Sequence, residues 1–112
     1  MLLLCNNMRM KKVLEIDERA AKELATFSEE VQAKFVALFQ ILERDGFLRE
    51  PFAKRINSRV FEVRVRYQGQ WRAFYAYLEK TRILVLSAFQ KKTQKAPVKE
   101  IKTAEERLRR YK

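Results

Sequence analysis

A chain of 112 residues with 47% apolar side chains, only two glycines and two prolines is neither disordered nor a loop-rich scaffold. It fits one domain, long enough to bury roughly two thirds of its unfolded surface. With Cys5 alone and no histidine, it lacks an internal disulfide, the usual zinc ligands and any Ser-His or Cys-His nucleophile.

The net charge of +11 is polarised along the chain. Residues 1–53 carry 8 basic and 9 acidic side chains, whereas residues 54–112 carry 17 and 5. A C-terminal half at +12 points to an anionic partner, with nucleic acid ahead of an anionic membrane.

Met1 to Cys5 (MLLLC) is too short for a signal h-region or a spanning helix. Leu2–Cys5 faintly resembles a lipoprotein cleavage site, but no basic segment or long apolar run precedes it. Residues 1–10 read as a frayed or over-annotated start, with Met8 and Met10 as other initiators, and the chain as cytoplasmic.

Weak alternation over Lys12–Ile16 allows a short edge strand. Asp17 is an N-cap for a helix over about 17–27, in which Ala20, Ala21, Leu24 and Phe27 recur at helical spacing. Ser28 restarts a helix whose stripe is Val31, Phe35, Leu38, Phe39 and Leu42, and Gly46 stops it. Phe47 to Ser58, with Pro51, reads as a loop in which Lys54 and Arg55 open the basic half.

Val60–Tyr67 alternates, with Phe61, Val63, Val65 and Tyr67 on one face and Glu62, Arg64 and Arg66 on the other. After Gln68-Gly69-Gln70, a second strand puts Arg72, Phe74, Ala76 and Leu78 on one face and Trp71, Ala73, Tyr75 and Tyr77 on the other. Ile83–Phe89 is almost wholly apolar, as in a strand covered on both sides. Consecutive hairpins make these three strands antiparallel. A basic loop, Gln90–Ala96, leads to Pro97 and a final helix with Val98, Ile101, Ala104, Leu108 and Tyr111 on its apolar side. The expected architecture is a single α+β domain over 1–112, with an N-terminal helical hairpin on a twisted antiparallel sheet and a C-terminal helix.

A basic sheet face suits the cleavage of RNA by its own 2′-OH. That reaction needs a group to take the hydroxyl proton, cations for the charge on the phosphoryl oxygens, and a donor for the leaving 5′-oxygen. The arginines of the two strands, Arg64, Arg66 and Arg72, fit the cationic task, because a guanidinium grips two phosphate oxygens and keeps its charge. A lysine fits the donor's task if neighbouring cations lower its pKa. Glu62, the only carboxylate on the arginine face, is the candidate base. Lys54, Arg55, Arg66, Gln94 and Lys95 are candidate RNA contacts, and no cluster of carboxylates supports a two-metal mechanism. Each feature also has a plainer reading: a solvated strand face with one ion pair, a snorkelling arginine, a soluble lysine loop, and sheet aromatics that are core rather than stacking platform.

Four stretches carry a resemblance: Pro51-Phe52-Ala53-Lys54, the FEVRVRY strand, the WRAFYAY strand, and ILVLSAFQKKTQKAP with the helix after it. Over roughly residues 12–111 the chain resembles the RelE/HigB-type toxins of bacterial type II toxin–antitoxin systems, in their phage-derived RelE-like branch. The resemblance implies a RelE/ParE-like fold and a ribosome-dependent mRNA endonuclease that cuts in the A site. It also implies no metal or other cofactor, and a cognate antitoxin, often a helix-turn-helix protein of HigA type. The family's strand cation falls on Arg64, its arginine after the hairpin turn on Arg72, and its residues beyond the last strand on Lys91, Lys92, Gln94 and Lys95, so that the resemblance implies phosphate binding or proton donation by Lys91 and Lys92. Glu62 followed by Arg64 stands where some relatives carry two strand lysines, and the histidines of other branches are absent, so the resemblance does not carry the acid and base. A ParE-like gyrase inhibitor and a non-catalytic RNA-binding domain are the alternatives.

Overall fold

The computed structural model describes residues 12–111, so the expectations for residues 1–10 lie outside the described residues. In chain order the elements are β1 (Val13–Ile16), α1 (Glu18–Ala25), α2 (Glu29–Asp45), β2 (Ala53–Arg55), β3 (Phe61–Arg66), β4 (Gln70–Leu78), β5 (Arg82–Lys91) and α3 (Val98–Arg109).

The helix starts follow from local chemistry. The Asp17 carboxylate accepts from the backbone N–H of Arg19 and Ala20, and Ser28 Oγ accepts from Val31 N–H at 3.2 Å, so α1 and α2 begin with orphan donors satisfied. Gly46, at φ 87°, ends α2 in the left-handed region. Gly69, at φ 127°, turns β3 into β4, and a Cβ there would come within 3.0 Å of Gln90 Nε2.

The five strands form one sheet in the order β1-β5-β4-β3-β2. The expected α+β fold with helices on a sheet is what forms, with two corrections. The sheet is mixed rather than antiparallel, because β1 runs parallel to β5 through Val13↔Arg82 to Ile16↔Val85. The stretch expected to be loop up to Ser58 contains β2, three residues paired with β3 as Ala53↔Val63, Lys54↔Glu62 and Arg55↔Phe61. Three residues are too few to show an alternation, and this strand exists because β3 offers it an edge.

The helical hairpin α1–α2 covers one sheet face, where Leu24, Val31, Phe35, Phe39 and Leu42 bury against Val63, Val65, Ala73, Tyr75, Ile83 and Val85. Helix α3 covers part of the opposite face, packing Ala104 and Leu108 on Val60, Phe74, Ala76, Leu78, Leu84 and Leu86. Polar contacts tie α3 down at three places: Asn57 Nδ2 donates to Glu105 at 2.9 Å, Arg107 pairs with Glu23 at 2.9 Å, and the Tyr111 hydroxyl donates to Asp17 at 2.7 Å.

One irregularity in β5 matters for the site. Phe74 pairs with Ser87 but Tyr75 pairs with Val85, so Leu86 is an extra residue on β5, a β-bulge. Before it, odd-numbered residues Ile83 and Val85 face the hairpin; after it, Ala88 does, and Ser87, Phe89 and Lys91 turn to the α3 side. Charged side chains hold the bulge. Arg107 donates to the Leu86 carbonyl at 2.8 Å, and the Ala88 N–H donates to Glu23 at 3.0 Å. A second glutamate, Glu43, accepts from the Leu14 N–H at 3.0 Å on the outer edge of β1.

Candidate nucleic-acid interface

The strand registers assemble the site. On the α3 side of the sheet, beyond the rows that α3 covers, side chains fall into three cross-strand rows. The first is Lys54–Glu62–Phe74–Ser87, the second Arg64–Arg72–Phe89 and the third Arg66–Gln70–Lys91. Their order places apolar and buried groups next to the core and cations outward. The bulge is what brings Phe89 and Lys91 onto this face, and Phe89 packs edge-on against Phe74 with ring centroids 5.1 Å apart.

Glu62 and Arg72 are both buried, at 2% and 7% exposure, in the middle of this cationic surface. Arg64 Nε donates to Glu62 Oε1 at 2.9 Å, and Arg72 Nε lies 3.4 Å from Glu62 Oε2. Arg72 further donates to Gln70 Oε1 at 2.5 Å and to the Trp71 carbonyl at 3.2 Å, while its buried Nε–H has no hydrogen-bond partner. Burial pulls the Arg72 pKa down, Glu62 pushes it back up, and the Arg64 and Arg66 guanidiniums pull it down again. An arginine remains charged under all these influences. The result is two guanidiniums fixed by one carboxylate, with the Arg64 head partly open to solvent.

The geometry offers Glu62 a role beside that of the expected base. Its carboxylate is buried, Oε1 accepts from Arg64, and Oε2 faces Arg72 Nε at 3.4 Å without a hydrogen bond. In this position Glu62 can align Arg64 and Arg72. Lys91 is committed: its ammonium donates to the carbonyls of Thr93 (2.6 Å) and Lys95 (3.2 Å), folding the basic loop around itself and leaving one N–H to spare. Lys92, Gln94 and Lys95 are exposed on that loop. Lys54 and Arg66 are exposed on the cationic face, whereas Arg55, one residue on from Lys54, lies on the other face, with its guanidinium 5.7 Å from the Phe61 ring centroid. The plain reading holds for the sheet aromatics Tyr75 and Tyr77, which stack within the hairpin-side core rather than facing solvent as a platform.

Sequence reasoning missed a cleft of about 520 Å³ beside these rows, between Lys34 and Leu38 of α2, the Pro51–Phe52 segment, and Arg64–Arg66 of β3. Phe52, 51% exposed next to a proline in an otherwise polar stretch, was the signal available. Lys34 gave none, because an exposed lysine on an amphipathic helix is ordinary. Among the described residues no three acidic or thiol groups converge as a metal site requires, and no helix is long and apolar enough to cross a membrane.

The sequence profile of the phage-derived Gp49-like proteins matches residues 22–109, and the chain belongs to that family. Its fold is that of RelE toxins. The free E. coli toxin RelE, in a mutant form, superposes with a TM-score of 0.65 at 22% identity, covering 90% of this chain and 98% of that one. The intact E. coli RelBE toxin–antitoxin complex matches at 0.61 and 20%, covering 73% and 99%. The archaeal RelE–RelB complex from Pyrococcus horikoshii OT3 matches at 0.56 and 21%, covering 72% and 96%. No curated protein sequence matches significantly.

Proposed function

We propose that the chain is the toxin of a type II toxin–antitoxin system and acts in the cytoplasm as a ribosome-dependent, metal-independent endoribonuclease that cuts mRNA in the A site. The observation that carries this reading is the Glu62-fixed pair of guanidiniums, Arg64 and Arg72, set in three rows of cations on one half of a sheet face. Guanidiniums held before substrate arrives stabilise charge on a phosphoryl oxygen with little reorganisation at the moment of reaction. Arg64 and Arg72 grip the scissile phosphate; Arg66, Lys54, Lys92, Gln94 and Lys95 hold the flanking backbone. Lys91 serves first as the strut of its loop. The ribosome contributes positioning and part of the proton chemistry, and a cognate antitoxin, of helix-turn-helix type, restrains the toxin. Solved relatives of this fold in complexes with antitoxins support that partner.

Induction of the protein, primer extension on mRNA with and without translation, and a parallel gyrase supercoiling assay test the reading. Codon-phased 5′ ends that vanish when translation is blocked are expected. Inhibited supercoiling with intact mRNA would sink it in favour of a ParE-like gyrase inhibitor. The double variant R64A/R72A is expected to cut at least about 100-fold more slowly, with a far-UV circular dichroism spectrum like that of the parent.

A further inference from the structure

The cleft between α2, Phe52 and the edge of β3 has a chemistry of its own. Four cations line it, Lys34, Arg64, Arg66 and Arg72, and no carboxylate does. Its remaining walls are apolar or aromatic, from Ala37, Leu38, Val65, Pro51 and Phe52. Phe52 leaves half of its surface in solvent and belongs to neither core cluster. Arg66 makes no ion pair among the described residues, and Lys34 meets only the Tyr67 ring, 5.4 Å from its centroid. Strand β2 ends its pairing with β3 at Val63, and the next edge N–H, that of Arg64, donates to the Phe52 carbonyl at 2.9 Å. By the alternation of the ladder, the Arg64 carbonyl and the Arg66 N–H face the same uncovered edge, one acceptor beside one donor.

We propose that this cleft is a base-binding subsite for one nucleotide of single-stranded RNA. The Phe52 ring stacks on the base, the β3 edge meets the base's hydrogen-bonding edge, and Lys34 and Arg66 neutralise the phosphate next to the one held by Arg64 and Arg72. Every base has a π-face and an adjacent donor and acceptor, so the subsite orients the strand without selecting a sequence. Glu62 offsets one charge of Arg64 and Arg72, and the remaining excess from Lys34 and Arg66 explains an anionic ligand; the exposed aromatic ring and the free strand edge explain why the ligand is a nucleotide rather than a bare phosphate. This inference rests on the RNA-cleaving reading and adds the residue that places the strand.

The test is binding of a short ribo-oligonucleotide carrying 2-aminopurine, measured off the ribosome by fluorescence across a salt series. F52A is expected to weaken binding about five-fold or more, to abolish the quenching of 2-aminopurine, and to leave the salt slope unchanged. F52W should restore both. K34A should keep the quenching but lower the magnitude of the salt slope by about 0.7. R55A, on the opposite face, should bind as the parent does. Equal affinity and equal quenching for F52A and parent, or equal parental affinity for an abasic ribose-phosphate oligomer, would overturn the subsite. Loss of the RNA-cleaving reading is separately visible, as intact mRNA in the primer-extension assay.

Discussion

The α3 side of the sheet is built in two halves under opposite rules. In one, Ala76, Leu78, Leu84 and Leu86 lie under Ala104 and Leu108 of the helix, and the strands are sealed from water. In the other, β2 and β3 with the far ends of β4 and β5 carry Lys54, Arg64, Arg66, Arg72 and Lys91, and no helix of the described residues lies over them. The border between them is the row Glu62–Phe74–Ser87, all buried. Each half depends on the other. Arginines on an isolated hairpin would sweep many rotamers, and fixing them would cost side-chain entropy each time a phosphate arrived. Here the packed half holds the backbone, the buried carboxylate at the border holds two guanidiniums, and those two are ordered before a ligand binds.

Substitutions in the two halves should separate these contributions. The largest effect falls in the sealed half. L84A removes a fully buried side chain and is expected to lower stability by about 3 kcal/mol in urea melts, loosening the cationic half only as the whole fold loosens. A stability loss below roughly 1 kcal/mol would show that the sealed half is not the support described. Next comes the border. E62Q keeps the shape but removes the charge between Arg64 and Arg72, at a cost of roughly 2 kcal/mol. It should slow RNA cleavage more than it weakens RNA binding, because the cations remain but lose their alignment. If cleavage stays at parental rate, Glu62 does not position the site.

The smallest effect concerns the clasp at the end of α3. Burial raises the Asp17 pKa, but the hydrogen bonds from Arg19, from the Tyr111 hydroxyl and from two backbone amides outweigh it and hold the carboxyl at about 2, below the ordinary 3.8. A depressed folded-state pKa favours the ionised form in the fold. Its contribution is therefore complete above about pH 4 and is lost as pH falls towards 2. Y111F is expected to cost about 1 kcal/mol at neutral pH and to shrink the acid-side loss of stability between pH 4 and 2. An unchanged acid limb would mean that the clasp contributes nothing to the seating of α3.

Much of the frame was legible in the residues. Asp17, Ser28 and Gly46 marked helix ends by their capping chemistry, and the alternation over Phe61–Tyr67 sorted Glu62, Arg64 and Arg66 onto one face. What stayed hidden has physical reasons. The parallel pairing of β1 with β5 is a long-range choice that a four-residue strand does not advertise. The Leu86 bulge sits in ILVLSAF, where every residue is apolar or small and a change of facing leaves no mark. Hence the sides taken by Phe89 and Lys91 were not readable. Alternation distinguishes two faces of a strand but not the depth of a charge upon one of them. A buried Glu62 and a half-exposed Arg64 look alike in sequence.

Glu43 on the Leu14 N–H and Glu23 on the Ala88 N–H have a consequence for how the protein behaves in a crowd. The β1–β5 side is where this sheet ends, and sheet ends are templates on which foreign strands grow. Here two carboxylates already occupy backbone donors that an incoming strand would use, and they place negative charge along the border of a strongly basic molecule. Filament growth from that side would have to evict both glutamates first.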